Sequence, residues 1–171
     1  NLIVADATRG LLSISSAKKI KVLVDTFDGK KLLFVDDLDI TSDGKIWFSD
    51  ASQKFGLPHF ILEAWETRPT GRLFSFDPST GDTEMHLDNL MFANGVALGP
   101  DEAYVLVNET FRVRTLRLWL KGERAGQSEM FMDGLPGFPD NLSYNDDGIF
   151  WMALTGPRME MVESLWTGTF L

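Results

Sequence analysis

Apolar and polar positions alternate along this chain in short runs separated by turn-forming residues. Three stretches line up without gaps: "VDDLDITSDGKIWFSD" (35–50), "ANGVALGPDEAYVLVN" (93–108) and "PDNLSYNDDGIFWMAL" (139–154). Each opens on a polar pair and continues through a period-2 alternation, Leu38/Ile40, Val96/Leu98 or Leu142/Tyr144. Each then turns, at Ser42-Asp43-Gly44, Pro100-Asp101-Glu102 or Asp146-Asp147-Gly148, and closes on an apolar strand. Alternation on both sides of a tight turn predicts a β-hairpin. The copies are offset by about 58 and 46 residues, the spacing of propeller blades.

Further strands are predicted between the hairpins, at 10–15 and 19–25, on both sides of the Pro-Ser-Thr-Gly turn within 71–88, and at 112–120 and 126–133. Each unit therefore offers four antiparallel strands, which is a propeller blade. The fold class read from this pattern is all-β, a β-propeller with about three and a half blades present. The opening "NLIVAD" matches "KIWFSD" and reads as the tail of another copy. Propellers close with about four to eight blades, so 1–171 reads as a single partial domain truncated at both ends. One segment, 53–70, breaks the pattern. Phe60, Ile61, Ala64 and Trp65 have helical spacing there and Pro69 would stop the helix. A short helical insertion near 55–68 is expected over one propeller face.

Composition narrows the function. A formal charge of −9 and no long basic run argue against nucleic acid and anionic membrane as partners. No stretch of 18 apolar residues marks a membrane segment within the chain. There is no cysteine, hence no disulfide framework and no thiolate metal site. The compartment stays open, since a leader or anchor before residue 1 is compatible with this start.

The candidate chemistry lies in the polar pairs: Asp36-Asp37, Asn94-Gly95 and Asp140-Asn141. In a propeller the innermost strand of each blade runs along the central channel, so these pairs converge on the axis. The strand ends Asp50, Asn108 and Leu154 are expected to return to the same face. Asp and Asn oxygens without sulfur or histidine suit a hard cation, Ca²⁺ first and Mg²⁺ or Mn²⁺ second. The competing reading is local: Asp and Asn before strands make Asx-turns. Asp43, Asp101, Asp146 and Asp147 read as turn residues, His59 as a surface residue, and Glu109 as an exposed loop carboxylate. Trp47, Phe48 and Trp151 read as interblade core, and "MEMVESLW" (159–166) as an amphipathic packing helix.

The motifs "FANGVALGPDEAYVLVNET", "GRLFSFDPSTGDTE" and "GFPDNLSYNDDGIFWMAL" resemble the strictosidine synthase-like branch of six-bladed propellers. That branch includes the adipocyte plasma membrane-associated proteins and belongs with the paraoxonases and the gluconolactonase/regucalcin group. The resemblance implies six blades in the full protein and calcium ligands at Asn94, Asp140, Asn141 and Asp50. It places Asp36 beside substrate, and Asp36 or Asp37 is the expected base. A first-blade Glu ligand of the family would fall before residue 1, and Thr155 stands near the place of the paraoxonase-like histidine. The expected function is calcium-dependent hydrolysis of a small-molecule ester or lactone. A non-catalytic binding propeller with a structural calcium is the alternative, and strictosidine synthase-type condensation ranks third.

Overall fold

The computed structural model describes residues 1–167. Its first sheet holds β1 (Leu2–Asp6), β2 (Gly10–Ile14) and β3 (Ile20–Val24), followed by a small hairpin of β4 (Thr26–Phe27) and β5 (Lys30–Lys31). The second sheet comprises β6 (Val35–Ile40), β7 (Ile46–Asp50), β8 (Gly71–Phe76) and β9 (Thr83–Leu90), with helix α1 (Ile61–Glu66) inserted between β7 and β8. The third comprises β10 (Ala93–Leu98), β11 (Tyr104–Glu109), β12 (Arg114–Trp119) and β13 (Ser128–Met132). A last pair, β14 (Gly137–Tyr144) and β15 (Phe150–Pro157), leads into α2 (Glu160–Thr167). Within each sheet the strands follow chain order and pair antiparallel, which is the meander of a propeller blade. The all-β propeller reading and the short helical insertion both hold. Among the described residues no helix is long and apolar enough to cross a membrane.

The blades stack face to face, and this explains the unbroken apolar runs on their second strands. Ile46 and Phe48 of β7 pack toward the first sheet, against Leu11 and Val24, alongside Phe74 of β8. Trp47, pointing the other way, packs toward the third sheet with Val96, Val105 and Leu118. On β11, Val105 and Val107 face the second sheet while Leu106 meets Leu142 of the fourth. A strand buried on both faces has no polar side to alternate with. Each such side chain contributes about 1.5–3 kcal/mol of burial.

Two expectations need correction. Trp151 is not core: it is 64% exposed, because β15 has only β14 beside it among the described residues and no sheet stacks on that side of the tryptophan. The ungapped repeat alignment also slips. Ile40 pairs with Ile46 and Tyr144 with Phe150, but Leu98 pairs with Val105, so the third sheet's turn is one residue longer. Asp101 and Glu102, both at left-handed φ, accommodate the extra residue. Beyond that turn, the residue matching Asp50 is Glu109 rather than Asn108: Val35 pairs with Asp50 and Ala93 with Glu109.

Candidate functional site

The innermost strands β6, β10 and β14 lie side by side, β10 between the other two. Each carries the same irregularity at its polar pair. From Val35 to Leu38 the inner strand advances three residues while its partner moves two, from Asp50 to Phe48. The same bulge separates Ala93 from Val96 and Pro139 from Leu142. A bulge adds a residue that the ladder does not pair and re-aims its side chain. The repeated pairs Asp36-Asp37, Asn94-Gly95 and Asp140-Asn141 all sit in these bulges.

Within each bulge the two members go different ways. The first members, Asp36, Asn94 and Asp140, line one cavity of about 620 Å³. Burial, reinforced by the Asp140, Asp37 and Asp50 charges, pushes the Asp36 carboxyl up to about 7. Asn94 is buried, and its Oδ1 accepts no hydrogen bond from any described residue. An orphaned buried acceptor costs about 1–3 kcal/mol, so its position calls for a partner. Two carboxylates and an amide oxygen fit a hard cation. Among the described residues no group of three or more His, Cys, Asp or Glu is placed to hold a metal; here the third oxygen belongs to an amide.

The second members serve the scaffold. Asp37 Oδ2 accepts the Val96 N–H at 3.0 Å, and Asp39 Oδ2 accepts the Leu98 N–H at 2.8 Å. The inner strands of neighbouring blades are thus joined by carboxylates rather than by a backbone ladder. Burial raises the Asp37 carboxyl, against hydrogen bonds from the Val96, Leu38 and Leu142 N–H groups and the Asn141 amide. Neither Asp37 nor Asn141 lines the cavity, and Asn141 is exposed.

Asp50 does not join the cavity residues either. It is fully buried, its Oδ1 accepting the Phe34 N–H at 2.9 Å and its Oδ2 the Arg72 guanidinium at 2.6 Å. Burial raises its carboxyl, and the Arg72 hydrogen bond opposes that rise. Glu109, expected on an exposed loop, repeats the arrangement. It is fully buried, accepts the Met91 N–H at 2.8 Å and pairs with Arg112 and Arg114. Asp50 faces Arg72 across β7–β8 as Glu109 faces Arg114 across β11–β12. Both acids tie down the segment that feeds an innermost strand.

The cavity walls contain a column that the sequence reading passed over. Phe34, Phe92 and Phe138 each stand two residues before a first member, all are buried, and all line the cavity. The signal was present as F-x-[DN] in "FVDD", "FANG" and "FPDN". Phe34 and Phe92 pack edge-on at 5.3 Å between ring centroids, and Phe92 lies 5.0 Å from Phe111. Phe92 holds a left-handed φ of 61°, costly for an aromatic residue, and its carbonyl accepts the Thr110 N–H at 3.1 Å.

The insertion roofs this space. Leu57, Phe60, Ile61, Ala64 and Trp65 line the cavity, and Phe60 meets Phe34 and Phe92 at 6.1 and 5.8 Å. Glu63 anchors the base of α1: it is fully buried, and accepts the Ser52 and Thr70 hydroxyls, each at 2.6 Å. His59 is exposed and does not line the cavity. His86 stacks on Trp47 at 4.4 Å in another part of the second sheet.

Sequence comparisons agree with this architecture. The strictosidine synthase family model matches residues 36–123. Strictosidine synthase-like protein 4 of Arabidopsis thaliana is 42% identical over 154 residues, covering 90% of this chain and 41% of its own length. Mouse (Mus musculus) adipocyte plasma membrane-associated protein is 40% identical over 157 residues, covering 89% of this chain and 38% of its own. The chain thus spans about two fifths of the length of these curated relatives. A gluconolactonase from Xanthomonas campestris superposes with a TM-score of 0.69 at 20% identity, over 86% of this chain and 50% of that one. A calcium-binding protein from Agrobacterium tumefaciens, regucalcin, gives 0.65 at 17% identity, over 89% of this chain and 49% of that one. At these identities the structural likeness speaks for the fold.

Proposed function

This chain belongs to the strictosidine synthase family, and from that premise we propose that it forms part of a single propeller domain that hydrolyses esters or lactones with calcium. The observation that carries the reading is the convergence of Asp36, Asn94 and Asp140 on one cavity, with the Asn94 oxygen buried and unpartnered among the described residues. These three side chains would hold the cation. When bound, calcium supplies polarisation of the substrate carbonyl and stabilisation of developing negative charge. Asp50 and Asn141, expected as ligands, have other partners, as does Asp37, so the proposal rests on the first members alone.

The remaining roles belong to the walls. Phe34, Phe92, Phe111 and Phe138 present apolar surface around the oxygens, and Phe60 and Trp65 bring more from the roof. Such walls exclude water and bury an apolar acyl or alcohol group, while a polyhydroxylated substrate would lose hydrogen bonds there.

The test is hydrolysis of phenyl acetate and of an aliphatic lactone by the full-length protein, with and without chelator. Turnover that a chelator removes and Asn94→Ala abolishes supports the reading, whereas turnover indifferent to both sinks it. A cation-dependent rise in melting temperature without turnover would mark a binding module with a structural calcium. Product formed from an amine and an aldehyde would mark condensation.

A further inference from the structure

Asp140 sits on the last blade of the chain, yet the preceding blade holds its backbone. Two carbonyls flank its Cα. The Pro139 carbonyl accepts the Thr110 hydroxyl at 2.7 Å, and the Asp140 carbonyl accepts Asn108 Nδ2 at 2.7 Å. Asn108 is fully buried, and its Oδ1 accepts the Thr115 hydroxyl at 2.7 Å, which fixes which end of the amide points at Asp140. Among the described residues the matching position of the second sheet makes no such reach to the next blade. There Ser49 takes the register position of Asn108, and its short hydroxyl accepts the N–H of Asp37 in its own blade at 3.1 Å.

Glycine makes the longer reach possible. A Cβ on Gly95 would stand 2.3 Å from the Asp140 carbonyl oxygen, 2.7 Å from the Leu142 nitrogen and 2.8 Å from Asn108 Nδ2. All three distances are below contact, so the bulges of β10 and β14 approach this closely only because residue 95 has no side chain. Asn108 threads that gap.

Resting on the calcium reading above, we propose that Asn108 is a positioning residue for the cation site, setting the aim of Asp140 through its carbonyl, with Gly95 keeping the gap open and Thr115 orienting the amide. Groups that orient a ligand without touching the metal typically carry about 10–100-fold of affinity.

The test is calorimetric titration of the full-length protein with CaCl₂, alongside melting of the metal-free form. Asn108→Ser replaces the amide by a hydroxyl of the length found at Ser49, which cannot reach Asp140. Its calcium affinity is expected to fall about tenfold or more, and Gly95→Ala should weaken binding at least as much. An Asn108→Ser protein that melts lower yet binds calcium within about twofold of wild type would overturn the positioning role and leave the calcium reading intact. Should Asn108→Ser not fold, Thr115→Val carries the test: it retains Asn108 and removes the hydroxyl that orients it. A weakened calcium affinity then supports the proposal, and an unchanged one overturns it. Wild-type protein that binds no calcium would overturn both readings together.

Discussion

Two polar columns repeat through this molecule, and they are built for opposite ends. The strand-end column, Asp50 and Glu109, is fully buried and fully engaged, each acid held by an arginine across the strand pair and by a backbone N–H. The bulge column, Asp36, Asn94 and Asp140, lines a cavity, with an Asn94 oxygen that has no partner among the described residues. Both are acidic or amide positions at matching places in successive blades. Recurrence therefore shows that a column matters, and hydrogen-bond satisfaction separates scaffold from site. The contrast extends to adjacent residues: Asp36 faces the cavity, while Asp37 joins β6 to β10.

Asp50→Ala should break this contrast most visibly. It leaves the buried Arg72 guanidinium and the Phe34 N–H without their acceptor. Loss of one partner from a buried pair costs about 3–5 kcal/mol, to be measured by denaturant unfolding of the full-length protein. A loss below about 1 kcal/mol, the level of a surface ion pair, would erase the distinction between the columns.

The next effect belongs to the other column. Calcium at about a hundred times its dissociation constant should stabilise wild type by about 2.7 kcal/mol, read as a rise in melting temperature. Asn94→Ala should abolish that rise while leaving metal-free stability within about 1 kcal/mol, since no hydrogen bond to Asn94 Oδ1 is lost. Equal metal-dependent melting in Asn94→Ala and wild type would remove Asn94 from the site.

Asp37→Ala sharpens the comparison between neighbours. It strands the Val96 N–H and should cost about 1–3 kcal/mol. Asp36→Ala removes an acid that burial already keeps from ionising easily, and should cost less or stabilise. Thermal melts of the two metal-free variants give the ranking.

The smallest expected effect is a pH slope in the scaffold. Burial holds the His86 imidazole below its ordinary value of 6.5; the Glu84 carboxylate 3.9 Å away opposes this and Lys45 adds to it. A depressed folded-state pKa favours the neutral ring, so the stability it brings is present above pH 6.5 and is lost as pH falls below that value. Melting temperature should dip slightly between pH 7 and 5, and His86→Gln should remove that part of the slope. A slope unchanged in His86→Gln would assign it to other groups.

Much of the architecture was legible because it is local and repeated. Hairpins follow from alternation and turn residues, and the repeat makes blades of them. The polar pairs stood out as a column, and their bulges gave the column its geometry. The Phe34, Phe92 and Phe138 column was equally present in the residues, but an aromatic residue before a strand carries no sign of which way its ring faces. The match of Asp50 with Asn108 failed for a definite reason: one additional turn residue between Leu98 and Val105 shifts every later position of that hairpin to the other face. Trp151 failed for another, because an apolar residue on a strand is buried only where a second sheet covers it.

Local sequence pattern set the β-meander, its blade repeat, the helical interruption expected near 55–68 and the oxygen-rich character of the column on the inner strands. These follow from short-range sterics, side-chain alternation and repetition, all of which act over a few neighbouring residues. Which oxygens are engaged and which remain available depends on how the blades pack together. Arg72 reaches Asp50 from 22 residues away, Asp37 meets Val96 across 59 residues, and Asn108 finds Asp140 across 32. A hydrogen bond depends on distance and direction in space, and those are set only once the blades have stacked.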